Sequence, residues 1–171
     1  MKKPNTLYQS ELFVEEPAID SFRGEFAFLS NFFEQPIEVA GAVYPTAEHA
    51  FQAMKTRETS EQYHVQTAPT PASAKARGKK VTLREDWDTA RFAEMETVLR
   101  EKFRDPALQA KLLATGDREL IEGNTWRDTT WGAVRTKDGA WKGRNTLGKL
   151  LMKLRDEFRG DVNQSDRAGV D

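Results

Sequence analysis

Glu48, Gln52 and Lys55 stand at i, i+4 and i+7, the spacing that brings side chains onto one face of an α-helix. A carboxylate, an amide and an amine on one stripe can hold a sugar, move a proton and, when the amine is neutral, attack an electrophilic carbon. Phe51 stands beside the stripe as a candidate wall. A helix start precedes it: Thr46 can take an orphan backbone N–H through its hydroxyl, and Pro45 keeps the entering chain extended. A solvated polar face with an i, i+7 ion pair has the same spacing, so the stripe alone leaves both readings open.

Three further segments carry chemistry-bearing residues. Leu29-Ser30-Asn31-Phe32-Phe33 sets hydrogen-bonding side chains beside aromatics, which suits either a substrate edge or an Asx turn. Lys75, Arg77, Lys79, Lys80 and Arg84 place five cations within ten residues of a helix end, followed by Trp87; they can hold a phosphate or form a solvated basic patch. The third group is loop-borne: Glu122-Gly123-Asn124, Asp128 to Trp131-Gly132, and Gly143 to Gly148 around Asn145, in the kind of segment that carries function more often than packing. Trp87, Trp131, Phe32 and Tyr44 can sandwich a planar ring or simply fill the core. Asn31 and Asn145 can read a base or ribose edge, and Arg84 can meet a phosphate.

These residues need elements to position them. Phe22 to Phe28 alternates as a half-buried strand, and Ile37-Glu38-Val39 with Val43-Tyr44 around Gly41 forms a hairpin. Helices are predicted over 47–57, from about Glu61, over 71–78, from an Asp88 cap to about Phe103, from Pro106 towards Gly116, and from Thr146 onward. Leu120-Ile121-Glu122 reads as a buried strand. The expected fold is α+β, one compact, helix-rich domain with a small β component. Residues 1–18 are read as a polar N-terminal segment, 19–160 as the domain and 161–171 as a flexible tail.

A net charge of −1 gives no global field towards nucleic acid or membrane, although residues 117–144 have a local basic bias that could follow a strand. The absence of cysteine excludes disulfides, thiolate metal sites and a cysteine nucleophile. Two histidines are too few for a His-based metal site, so neither a metal nor another cofactor is expected. With no apolar run of about 20 residues and no signal-peptide core after Met1-Lys2-Lys3, the expectation is a cytoplasmic protein with no membrane partner.

Several of these pieces together resemble one family. Phe26-x-Phe28-Leu29-Ser30-Asn31-Phe32, Tyr44-Pro45-Thr46-Ala47-Glu48-His49-Ala50-Phe51-Gln52-Ala53-x-Lys55, Leu83-Arg84-x-Asp86-Trp87-Asp88, Lys102-Phe103, Thr115-Gly116, Leu120-Ile121-Glu122, Asp128-x-x-Trp131-Gly132 and Gly143-x-Asn145-x-Leu147-Gly148 are similar to the NADAR (YbiA-like) family in order and spacing. The likeness spans residues 21–155. It implies an N-glycosidase that cleaves ribose C1 from an amino nitrogen on a heterocycle. The substrate would be either a phosphoribosylamino-pyrimidine of riboflavin biosynthesis or guanine ADP-ribosylated in nucleic acid. One departure is Gly78-Lys79, where many members carry Gly-Arg; lysine keeps the charge and loses the bidentate fork.

An exocyclic glycosylamine can ring-open to an imine at C1. The lysine that the family motif points to, Lys55, can then displace the arylamine as a Schiff base, with Glu48 shuttling protons. This route is favoured here. It requires a neutral amine, which a Glu48–Lys55 ion pair would oppose. Direct hydrolysis between Glu48 and Asp128 is the competing route, with Glu122 or Asp86 in reserve. A non-catalytic ADP-ribose or nucleotide-binding module is the alternative of a different class; it would keep the aromatics and cations without needing Lys55 and Glu48 together.

Overall fold

The computed structural model describes residues 16–168, with side chains described as far as residue 162. Helices dominate: a 3-10 helix over Gly24–Leu29, then α1 (Ala47–Ala53), α2 (Thr59–Gln66), α3 (Pro71–Gly78), α4 (Trp87–Lys102), α5 (Pro106–Leu113) and α6 (Thr146–Ala168). Two antiparallel hairpins complete the α+β fold: β1 (Ile37–Val39) with β2 (Ala42–Tyr44), and β3 (Val134–Arg135) with β4 (Trp141–Lys142). Among the described residues no helix is long and apolar enough to cross a membrane. Of the segment 1–18, residues 1–15 lie outside the described residues.

The β1–β2 hairpin turns through Ala40 and Gly41, at φ 51° and 79°, a backbone region that glycine enters without strain. Its register pairs Ile37 with Tyr44 and Val39 with Ala42, which buries Ile37, Val39 and Tyr44 and leaves Glu38 and Val43 outside. Helix α1 follows at once. The Thr46 hydroxyl accepts the His49 N–H at 3.3 Å and lies 2.8 Å from His49 Nδ1, while His49 Nε2 lies 3.0 Å from the Ala68 carbonyl oxygen. The histidine is therefore a satisfied core residue. Every residue of α1 is buried, and the helix packs against α2, α3 and α4. Its central place explains how one short helix can carry an interior site.

The structure departs from the sequence expectations at several elements. Phe22 to Phe28 is no strand: Gly24 has a φ of 57°, and the Phe26 and Ser30 N–H groups close i→i+3 turns onto Arg23 and Ala27. Alternating phenylalanines mark a strand only where a partner strand exists, and none pairs here. Helix α1 ends at Ala53 rather than Arg57, because the Arg84 N–H takes the Lys55 carbonyl at 2.8 Å and the Thr56 hydroxyl turns to Glu61. Asp88 does not cap α4; Asp86 occupies that position, but Arg84 holds both oxygens of its carboxylate. Leu120-Ile121-Glu122 makes a lone parallel bridge with Ile19 instead of a strand ladder. Asn145 substitutes for the missing neighbour, its Oδ1 accepting the Glu122 N–H at 3.0 Å and its Nδ2 donating to the Leu120 carbonyl at 2.8 Å. At the far end, α6 continues through 161–168, where no proline interrupts the helical hydrogen bonds.

Candidate active site

Helices α1, α3 and α4, the turn after the 3-10 helix and the loop 122–131 enclose a cavity of about 800 Å³, within the range usual for small-molecule sites. At its base sits Glu48. Its backbone N–H donates to the Asn31 carbonyl at 3.0 Å and its Oε1 accepts from Gln52 Nε2 at 2.8 Å. Burial raises its pKa, outweighing the Gln52 hydrogen bond and the lysine charges that act the other way. Gln52 is held in turn by Gly78: a Cβ there would lie 2.2 Å from Gln52 Oε1 and 2.8 Å from its Cβ. Only glycine lets α3 close over the Gln52–Glu48 pair.

Lys55 reaches the same cavity from the turn after α1. Burial holds its amine below the usual lysine range; Glu48 pulls the other way, while Lys75 and Lys79 reinforce the burial. No Glu48–Lys55 ion pair forms. Both groups are displaced towards their neutral forms, one a carboxyl that can give a proton and the other an amine that can attack.

The opposite acids come from the loop. Glu122 lines the cavity, and burial with the nearby Asp128 charge raises its pKa to about 7 against the pull of Lys102, Lys75 and Arg23. Asp128 Oδ1 accepts the N–H groups of Thr130 and Trp131 at 3.0 and 2.9 Å. Asn124 clamps its backbone from both sides. Phe51 contacts Trp87 and Trp131 at 5.2 Å between ring centroids, and Trp131 continues to Phe92 at 5.5 Å, making an aromatic wall suited to a planar group.

Of the side chains singled out from the sequence, Lys55, Glu48, Asp128, Ser30, Asn31, Phe32, Gln52, Trp87, Glu122 and Trp131 all line this cavity. Four others do not. Tyr44 is buried in the hydrophobic core. Arg84 is committed to Asp86 and Glu94 at 2.6 Å each. Gly132 lets two loops approach, since a Cβ there would meet the Glu122 carbonyl at 2.2 Å. Asn145 supports Glu122 from behind.

Other residues join the wall: Arg23, Lys75, Arg91, Met95 and the half-exposed Trp126. Trp87, Arg91 and Met95 are spaced i, i+4, i+8 on α4, so that face was readable. Lys75 stood inside the basic run without a distinguishing mark. Trp126 carries no such periodic signal; its loop turns through Arg127 at φ 66°. Four cavity residues present buried polar atoms without an intramolecular partner, namely Asn31 Oδ1, Gln52 Oε1, Arg91 Nε and Glu122 Oε2. Arg23, Lys55, Lys75 and Arg91 make no ion pair among the described residues, whereas the paired cations, such as Arg84, Arg100 and Arg159, lie elsewhere. Unmet donors, acceptors and cations thus converge on one concavity.

Comparison with known proteins points to the same site-bearing region. The NADAR domain family model matches residues 18–159. The N-glycosidase YbiA of Escherichia coli K12 is 37% identical over 137 residues, covering 78% of this chain and 82% of that protein. A Nostoc punctiforme N-glycosidase is 34% identical over 140 residues, covering 78% and 86%. A riboflavin biosynthesis protein of Vibrio vulnificus is 38% identical over 135 residues, covering 77% of this chain and 35% of its own. The solution NMR structure of E. coli YbiA superposes with a TM-score of 0.72 at 34% identity, covering 90% of this chain and 92% of that one.

Proposed function

The chain belongs to the NADAR domain family and is, like its named relatives, an N-glycosidase; from that premise we propose that it cleaves ribose C1 from an exocyclic amino nitrogen of a heterocycle through a Lys55 imine. The observation that carries the mechanism is the pairing of Glu48 and Lys55 in one cavity, each displaced by burial towards its neutral form. A ring-opened glycosylamine offers an imine carbon at C1. The Lys55 nitrogen adds to it, the Glu48 carboxyl gives a proton to the exocyclic amino nitrogen, and the bond from that nitrogen to C1 breaks to release the heterocyclic amine. Water then adds to the Lys55 imine, the Glu48 carboxylate takes its proton, and the sugar leaves as an aldehyde that closes to ribose. Direct hydrolysis would instead need Asp128 as a partner acid or base, and its Oδ1 is already occupied by two backbone N–H groups.

The Phe51, Trp87 and Trp131 rings suit the planar leaving group, and Arg23, Lys75 and Arg91, without an ion pair among the described residues, suit phosphate on the sugar. Relatives named for riboflavin biosynthesis favour a phosphoribosylamino-pyrimidine over ADP-ribosylated guanine in nucleic acid. The test is a mass-spectrometric product assay with both substrates in parallel. Release of ribose 5-phosphate from the pyrimidine is expected. Release of ADP-ribose from the oligonucleotide alone would reverse the substrate choice, and no product from either would overturn the reading.

A further inference from the structure

Asn31 is built into the cavity wall beside the start of α1 and is 7% exposed. Its backbone carbonyl accepts the Glu48 N–H at 3.0 Å, which fixes the residue next to the acid of the Lys55–Glu48 exchange. Its amide nitrogen donates to the Met95 sulfur at 3.2 Å, and its Oδ1 is buried with no partner. A thioether is a weak acceptor on a flexible side chain, so the amide can turn its oxygen towards a donor in the cavity at small cost. An unmet buried acceptor destabilises the empty site and favours a ligand that brings the missing donor.

The other unmet polar atoms of the cavity are differently placed. Gln52 Oε1 lies under α3, where a Cβ at Gly78 would come within 2.2 Å of it. Arg91 Nε is a donor, and Glu122 Oε2 belongs to an acid of the facing loop. Asn31 Oδ1 is thus the neutral acceptor left beside Glu48. In the Lys55 reaction C1 lies within reach of Lys55 and Glu48, and two donors of the substrate adjoin it. One is the N–H of the exocyclic nitrogen, which is lost as the C1=N bond forms. The other is the hydroxyl on C2, which persists from the glycosylamine through the imine to the free sugar. We propose that Asn31 Oδ1 accepts a hydrogen bond from this 2-hydroxyl and makes the site selective for ribose over 2-deoxyribose. The assignment rests on the N-glycosidase reading above.

The fold itself gains little from this amide. The backbone carbonyl of Asn31 already serves the first turn of α1, and the side chain is tied only to the sulfur of Met95, a core residue. Replacing a weakly paired polar group by an apolar one of similar shape is close to neutral for stability. Asn31→Leu should therefore fold, and its cost should appear in sugar recognition. Both ribosylamine classes considered above carry the 2-hydroxyl, so the selectivity is common to them.

The test uses the full chain. It compares kcat/KM for a phosphoribosylamino-pyrimidine and its 2-deoxyribosyl counterpart, and the calorimetric binding of ribose 5-phosphate and 2-deoxyribose 5-phosphate. The wild type should bind ribose 5-phosphate about 10- to 100-fold more tightly than the deoxy sugar. Asn31→Leu should cut the ribose-to-deoxyribose ratio of kcat/KM by a similar factor, acting mainly through the ribosyl substrate. The intrinsic reactivities of the two sugars cancel in that comparison, and a merely structural lesion would lower both substrates alike. If Asn31→Leu does not fold, wild-type binding decides: 2-deoxyribose 5-phosphate should lose more affinity than 3-deoxyribose 5-phosphate, and the reverse order overturns the proposal. Equal wild-type affinity for ribose 5-phosphate and its 2-deoxy form, or an unchanged ratio in Asn31→Leu, also overturns it. Selective binding that Asn31→Leu abolishes, without turnover of any ribosylamine, supports the subsite and overturns the reading of the reaction.

Discussion

In the proposed exchange Lys55 and Glu48 serve each other because burial displaces each towards its neutral form. Burial lowers the lysine from 10.5 and raises the glutamate from 4.5, and Gln52 donates a hydrogen bond to Glu48 Oε1. The sign of the pH dependence follows. Lys55 becomes nucleophilic as pH rises through its lowered pKa, and Glu48 loses its proton as pH rises through its raised one. The kcat profile should therefore be bell-shaped, and Glu48→Gln, which keeps the shape but cannot give a proton, should lower kcat by about 10² to 10⁴ with little change in KM. Steady-state kinetics across pH checks both. An unchanged kcat in Glu48→Gln would remove Glu48 from the chemistry.

At the scale of elements, the contact between α1 and α3 holds the site closed. Gly78→Ala puts a methyl group against Gln52, and either Gln52 leaves Glu48 or α3 withdraws. Such overpacking should cost about 1–3 kcal/mol, read by urea denaturation, and kcat/KM should fall with it; wild-type behaviour in both would show that the cavity wall is looser than it looks. Much of this layer was legible. Thr46, Pro71 and Pro106 mark helix starts by local chemistry, and Glu48 and Lys55, whose spacing suggested one helix face, both line the cavity although the helix stops short of Lys55. What was not legible depends on distant partners. Arg84 looks like a phosphate ligand and Asp86 like a reserve acid until they are seen to bind each other. Asn145 resembles a substrate reader until its amide is found completing the Leu120–Glu122 backbone. Lys102, on an apolar stripe, gave a signal that only burial makes intelligible.

Across the whole molecule the net charge of −1 conceals an uneven distribution. Carboxylates neutralise Arg100 of α4 and Arg159 of α6 away from the cavity, while Arg23, Lys55, Lys75 and Arg91 line the cavity and make no ion pair among the described residues. An anionic substrate should thus bind more weakly as salt rises from about 0.05 to 0.5 M, with KM increasing several-fold and kcat nearly constant; a salt-independent KM would argue against phosphate recognition there. The most direct measurement on the whole chain is reductive trapping: substrate and borohydride are added together and the intact mass is read, followed by peptide mapping. Imine formation at Lys55 should give one added sugar on the peptide containing Lys55 and none in Lys55→Ala. Continued product release with no adduct, or an adduct on another lysine, would contradict the Lys55 mechanism.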